Sequence, residues 1–254
     1  MNASVARRRA GRLIPLAAVL LLVGACSTLM PGADYPRVES VALDHPEETR
    51  LGARSAADAA DHEGHSGFHI LTAGVDGFLS RVQLIEAAEK TLDLQYFILR
   101  GDETGRLVTD ALVRAADRGV RVRVLVDDGA TLAGDEQLLT LDAHPRIEVR
   151  IFNPFDYRGG NQLLRGIDFL LNASRLDYRM HNKLLVADNA VALIGGRNIG
   201  NQYFQMDPES QFADDDVFSA GPIARRLSAT FDEFWNSGMA IPARALARPE
   251  RRAT

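Results

Sequence analysis

Between Leu92 and Phe152 the spacing of apolar residues switches repeatedly between two periods, and this alternation constrains the chain more than any other feature. Leu92-Asp-Leu-Gln-Tyr-Phe-Ile-Leu99 reads as a strand. Helical spacing runs from about Thr104 to Arg118 and stops at Gly119, after which Val120-Arg-Val-Arg-Val-Leu-Val126 alternates apolar with polar positions before Asp127 and Asp128. A further helix over Asp135 to Ala143 leads into the strand-like Ile147-Glu-Val-Arg-Ile-Phe152. Strand, helix and strand in succession make a β-α-β unit, so the predicted fold is a layered α/β domain with a mixed, mostly parallel sheet flanked by helices.

The flanking segments extend the pattern. Gly77 to Lys90 places Phe78, Val82, Leu84, Ile85 and Ala88 at helical spacing. Tyr178 to Ala187 and Ala190 to Ile194 read as a hairpin, and Asp216 to Ala220 as a last strand. Pro222 to Trp235 reads as a helix with proline at its start and Ile223, Leu227, Phe231 and Phe234 along one face; Phe234 and Trp235 belong to its core side. Asn153 to Asp177, with Gly159, Gly160 and an apolar patch from Ile167 to Leu171, has no clean period. It is read as a loop beside the site whose apolar residues could touch lipid, or as a helix packed on the sheet. Asp127 and Asp128, at a strand end, are read as capping the following turn, with lining of the cleft as the alternative.

The first 25 residues differ in kind. Arg7, Arg8, Arg9 and Arg12 precede an apolar run from Leu13 to Ala25, the layout of an export signal. A span needs about 20 apolar residues, so this run is short for one, and the small residues Gly24 and Ala25 favour cleavage before Cys26. Cys26 is the one cysteine, which excludes a disulfide framework. Residues 26–65, rich in Pro, Ala, Asp, Glu and Arg without periodicity, are expected to form a flexible tether, 66–241 the folded lobe and 242–254 a tail. With 46% hydrophobic and 25% charged residues, 254 residues suffice for one substantial core. Of 29 basic residues four precede Cys26, leaving 25 against 34 acidic ones and a net charge of −9. That balance disfavours a nucleic-acid partner, whose phosphates need Lys and Arg. His62, His65 and His69 near Asp61 and Glu63 allow a metal reading, but they lie at the edge of the expected linker.

The chemistry is concentrated in His181-Asn-Lys183-Leu-Leu-Val-Ala-Asp188, followed after six residues by Gly195-Gly196-Arg-Asn198. Six fixed positions at this spacing arise by chance on the order of once in 10⁸ starting points. Residues two apart share a strand face, so His181 and Lys183 project into one cleft while Leu184 and Val186 enter the core. An imidazole can attack phosphorus and leave again, Lys183 can neutralise phosphoryl oxygens, and Asn198 can donate to them after a Gly195-Gly196 turn where Gly196 lets backbone come close. This scheme needs neither metal nor cofactor.

The segment carries the complete signature of the phospholipase D superfamily, and residues from Ser66 to Trp235 resemble the N-terminal half of cardiolipin synthases of the C type. That likeness rests on Ser66-Gly67-Phe68, Leu92 to Phe97, Ala115 to Asp128, His144 to Phe155 and Arg179-Met-His-Asn-Lys183. Val23-Gly24-Ala25-Cys26 similarly resembles the bacterial lipobox, implying lipidation at Cys26 and, with Ser27 after it, an outer-membrane lipoprotein facing the periplasm; a plain secreted protein or an uncleaved anchor is the alternative. The superfamily resemblance implies a single phospholipase D-type lobe acting on a phospholipid by phosphatidyl transfer from His181 to an alcohol or to water. It also implies a mainly structural role for Asp188, anchoring the turn after the catalytic strand. An orienting carboxylate for His181 is expected just before a strand ending in Gly-Pro, which points to Asp214, with Asp216 as the alternative.

Family members of this type pair two lobes, one histidine attacking and the other protonating the leaving alcohol, whereas this sequence holds one signature. Completion by a homodimer or by a second lobe is therefore expected. The alternatives are a periplasmic homodimeric endonuclease of the same superfamily or an inactive half-protein.

Overall fold

A computed structural model describes residues 30–129 and 135–247. The expected export signal and Cys26 lie outside the described residues. Thr49 opens the first helix: its hydroxyl oxygen accepts from the Gly52 N–H at 3.0 Å and its O–H donates to the Pro46 carbonyl at 2.7 Å. This clasps a 3₁₀ turn, Pro46–Glu48, to α1 (Arg50–Asp58). The chain continues through β1 (Gly67–Leu71), α2 (Gly74–Ala87), β2 (Thr91–Tyr96), α3 (Glu103–Asp117), β3 (Arg121–Asp127), α4 (Asp135–Asp142) and β4 (Ile147–Phe152). Then follow α5 (Gln162–Leu171), α6 (Ala173–Leu176), β5 (Lys183–Ala187), β6 (Val191–Gly195), β7 (Asp216–Ala220), α7 (Pro222–Trp235) and β8 (Ala240–Pro242). Gly119 and Pro222 act as the sequence predicts, and Asp102 adds a cap. Asp102 caps α3 by accepting from Gly105, Gly119 ends it at φ +99°, and Pro222 occupies the first turn of α7.

All eight strands form one sheet in the order β1-β7-β6-β5-β2-β3-β4-β8. Only β2 with β3 and β3 with β4 run parallel; every other neighbouring pair is antiparallel. The sheet is thus mixed, and the expectation that it is mostly parallel is corrected. Helical crossovers return the chain in the same sense only from β2 to β4, and thereafter the strands arrive by hairpins or from the opposite end. The short outer strands β1 and β8 escape the sequence reading because neither alternates. All of β1 except Leu71 is exposed, and β8 is three residues long.

Each central strand feeds two cores. On one face Leu92, Leu94, Val122, Val124, Leu185 and Leu193 pack under α2 and α3; on the other Leu125, Phe152, Leu184, Val186 and Ala192 pack under Phe231 and Trp235 of α7. The second face also buries arginines. Arg123 forms two hydrogen bonds to Asp93, at 2.7 and 2.9 Å, and lies over Phe231; Arg150 lies over Trp235 at 4.2 Å.

These arginines account for a difference at the N-terminal side. Residues 37–58 are not a loose tether. Arg150, Arg123 and Arg121 donate to the carbonyls of Val38, Ser40 and Val41, Asn189 donates to Leu43, and Asp232 accepts from the Ala42 N–H. The segment is laced onto side chains of β3 and β4 and of the β5–β6 turn because its backbone satisfies guanidinium groups that the fold buries, and α1 follows it. Among the described residues no helix is long and apolar enough to cross a membrane.

Candidate active site

The expected hairpin positions the site. Asp188 and Asn189 both adopt left-handed backbone, φ 52° and 51°, as the two central residues of a type I′ turn require. The buried Asp188 carboxylate accepts from the backbone N–H groups of Glu89, Lys90 and Thr91 at 2.8–2.9 Å. Every oxygen it has is used to tie the turn to the start of β2. It stands at the opposite end of β5 from Lys183, roughly 16 Å of strand away, so Asp188 anchors the turn and strand and does not reach a ligand held at His181 and Lys183.

At the other end of β5 the side chains of His181 and Lys183 converge. The Lys183 Nζ lies 3.0 Å from Nδ1 and 3.2 Å from Nε2 of His181 and donates to the His181 carbonyl at 2.7 Å. The His181 ring packs against Phe97 at 4.7 Å between centroids, and the ammonium lies 5.3 Å from the same ring centre. Lys183 is buried while His181 is exposed, so the imidazole is offered to a ligand from the mouth of the site with the charge behind it. Partial desolvation and the Lys183 charge hold the His181 pKa below the usual imidazole value, which leaves it unprotonated and nucleophilic near neutrality. Burial lowers Lys183 as well, opposed by the charge of Asp214.

Asp214 lies against Gly196, where a Cβ would come within 1.9 Å of its carboxylate, so glycine is needed there for room. Among the described residues no carboxylate hydrogen-bonds the His181 ring; the influence of Asp214 reaches the pair through Lys183. Asp216, the alternative, is fully engaged elsewhere. Arg81 donates to both of its oxygens, at 2.7 and 2.9 Å, and Arg197 to one at 3.2 Å. Gly196 is turned inward too, its N–H donating to the Asp215 carbonyl. Asn198 is buried; it accepts from the Ile98 N–H at 3.0 Å and donates to the Tyr203 hydroxyl at 3.0 Å, which leaves one amide hydrogen for a ligand.

Sequence reasoning missed the groups that hold this arrangement from behind. Arg81 of α2 also donates to the hydroxyl of Tyr96, whose pKa burial raises, and Tyr96 sits opposite Lys183 in the β2–β5 pairing. An arginine within the apolar stripe of a helix was the available signal. Asp127, expected to cap a turn or to line the cleft, does accept from the Gly129 N–H, but its other oxygen accepts from the Met180 N–H at 2.9 Å. Burial raises its pKa against the pull of Arg179. It thereby fixes the backbone immediately before His181. Asp128 accepts from the Phe155 N–H and from Arg158. Among the described residues no group of three His, Cys, Asp or Glu is placed to hold a metal, and the His65 ring bonds to the Glu63 carbonyl.

Residues 82–235 match the family model described as "Cardiolipin synthase, PLD-like domain". Over 186 residues the chain is 45% identical to "Cardiolipin synthase C" of Escherichia coli (strain K12), covering 73% of this chain and 38% of that protein. It is 36% identical over 206 residues to an uncharacterized protein of Helicobacter pylori (strain J99), covering 81% and 41%. The chain thus spans about two fifths of the length of these curated relatives. Among solved structures it resembles a phosphatidylserine synthase of Haemophilus influenzae (TM-score 0.50, 16% identity, 79% of this chain and 44% of that one). It also resembles NucT of Helicobacter pylori (TM-score 0.50, 14% identity, 70% and 98%); likeness at this identity speaks for the fold alone.

Proposed function

Since this chain belongs to the phospholipase D-like domain family of the cardiolipin synthases, we propose that it transfers phosphatidyl groups between alcohols through a covalent intermediate on His181. The observation that carries this reading is the pair at the end of β5: an exposed imidazole with a buried ammonium 3.0 Å away. A ring nitrogen of His181 attacks phosphorus, the P–N bond forms and the P–O bond to the leaving alcohol breaks. Lys183 and the remaining Asn198 hydrogen neutralise the non-bridging oxygens. An incoming alcohol, or water, then attacks phosphorus and releases His181. Asp214 is the carboxylate assigned to orient the imidazole once phosphate draws Lys183 towards itself.

The leaving alkoxide needs a proton, and general acid catalysis is worth roughly 10²–10⁴ in rate. We assign that role to a second lobe, contributed by another copy of the chain or by a partner. Lipidation at Cys26 would keep the lobe at the outer membrane, facing the periplasm.

The test incubates the purified protein, with and without His181→Ala, with vesicles of fluorescent phosphatidylglycerol and separately with DNA. Cardiolipin or phosphatidic acid should form with the wild type, and the variant should lose about 10⁴-fold or more of that rate. DNA cleavage without lipid turnover would move the assignment to a nuclease, and turnover surviving in His181→Ala would remove His181 from the mechanism.

A further inference from the structure

Arg81 of α2 is 1% exposed, yet every N–H of its guanidinium has an acceptor. Nε donates to the Tyr96 hydroxyl at 3.1 Å. Nη1 donates to the Gly77 carbonyl at 2.8 Å and to Asp216 at 2.7 Å, and Nη2 to Asp216 at 2.9 Å and to the Arg197 carbonyl at 3.4 Å. The cation also lies over the Phe204 ring, 5.1 Å from its centre. A lysine could not serve these acceptors together, because only the planar guanidinium presents five donors in a fixed fork.

The segments it joins are those that carry the groups assigned to phosphate. Tyr96 stands directly opposite Lys183 in the β2–β5 pairing, so the two side chains share one face of the sheet. Arg197 immediately precedes Asn198. Asp216 opens β7 two residues after Asp214, and the Asp215 carbonyl between them accepts from the Gly196 N–H at 3.1 Å. Arg197 closes the same knot, donating to Asp216 at 3.2 Å and to the Leu71 carbonyl at 2.9 Å. The packing leaves these bonds little slack: a Cβ at Gly77 would come within 2.6 Å of the Asp216 carboxylate, and one at Gly195 within 2.3 Å. Among the described residues Arg81 hydrogen-bonds none of Lys183, Asn198 or Asp214 itself. A buried ion pair adds little net stability over apolar side chains of like volume, since desolvation offsets the attraction. What its fixed donors add here is one relative placement of three segments, which an apolar contact would not specify.

We propose that Arg81 is a positioning residue for phosphoryl transfer: it holds the loop bearing Asn198 and the chain bearing Asp214 in register with Lys183 without itself meeting substrate. This rests on the phosphodiester reading above. One arm of its test uses a transition-state analogue and no lipid, so a failure of phosphatidyl transfer is separable from a failure of this role.

Orthovanadate, which becomes five-coordinate on a nucleophile as the reacting phosphorus does, is titrated into the full chain while the His181 ring protons are followed by NMR. In parallel kcat and KM are measured on vesicles of fluorescent phosphatidylglycerol. The variants are Tyr96→Phe, Arg81→Lys and the paired Arg81→Met with Asp216→Asn, each studied at a temperature where near-ultraviolet circular dichroism shows it folded. The paired variant strands no charge on Asp216, so its denaturant midpoint should exceed that of Arg81→Met alone. It and Arg81→Lys should nevertheless lose about 10²-fold in vanadate affinity and in kcat, with KM changed far less, as misplacement of reacting groups does. Tyr96→Phe, which removes a single acceptor, should lose about fivefold in both. A merely structural Arg81 would move the midpoint alone. The proposal is overturned if a folded Arg81→Lys or paired variant keeps wild-type vanadate affinity and kcat, or, where neither folds, if Tyr96→Phe keeps them. A rise in KM at unchanged kcat overturns it too, because that is a loss of uniform binding and not of orientation.

Discussion

The proposed nucleophile and its charged neighbour stand at the mouth of β5, with the His181 ring just ahead of the strand, Lys183 opening it and their side chains 3.0 Å apart. Partial burial, and after it the Lys183 charge, hold the His181 pKa below its usual value. The imidazole therefore stays unprotonated down to a pH below about 6.5, and attack is lost only as pH falls through that depressed value. Lys183→Gln removes the repulsion without adding a charge, so the His181 titration should move upward towards 6.5, read by NMR of its ring protons. An unchanged midpoint would mean the two side chains part in solution. At this scale the sequence was most legible, because a period of two decides that residues 181 and 183 project together. The roles of Asp216 and Asp127 were not legible there. Their partners Arg81, Arg197 and Met180 come from other elements, and nothing in an acidic residue's neighbours announces which distant guanidinium or amide it will meet.

The hairpin β5–β6 and its anchor show how an element holds a site that it only partly supplies. Asp188 accepts three backbone N–H groups from the loop before β2, so Asp188→Ala leaves three donors at a buried turn without their acceptor. The expected loss is about 3 kcal/mol or more in unfolding free energy, measured by the shift in denaturant midpoint. A variant as stable as the wild type would show that water replaces the carboxylate freely. Helix α5 was hard to read for a physical reason. Its outward stripe has the spacing of an ordinary core-facing helix, but Gly159, Gly160 and Gly166 blur the pattern, and only the structure shows that the polar side is the one packed. The regular helices α3 and α7, with caps and periods in agreement, were legible almost to the residue.

At the scale of the molecule, the segment ahead of α1 is part of the lobe because buried arginines of β3 and β4 use its carbonyls. Arg123 is central, bonded to Asp93, close to Asp232 at 2.8 Å, and donating to Ser40. Arg123→Met strands a buried carboxylate and should cost about 3–5 kcal/mol, with residues 37–43 becoming cleavable by protease under native conditions. If stability falls while the segment stays protected, the arginine serves the sheet alone. The sequence by itself determined the α/β alternation, the strand that Lys183 opens just after His181, and the glycine turn after it, since each depends on residues near in the chain and on periods of 2 and 3.6. Strand order, the antiparallel majority of the sheet, the docking of residues 37–58 and the outward face of α5 were decided by tertiary structure alone. They depend on which buried charge or apolar face finds a distant partner, and local spacing does not encode that choice.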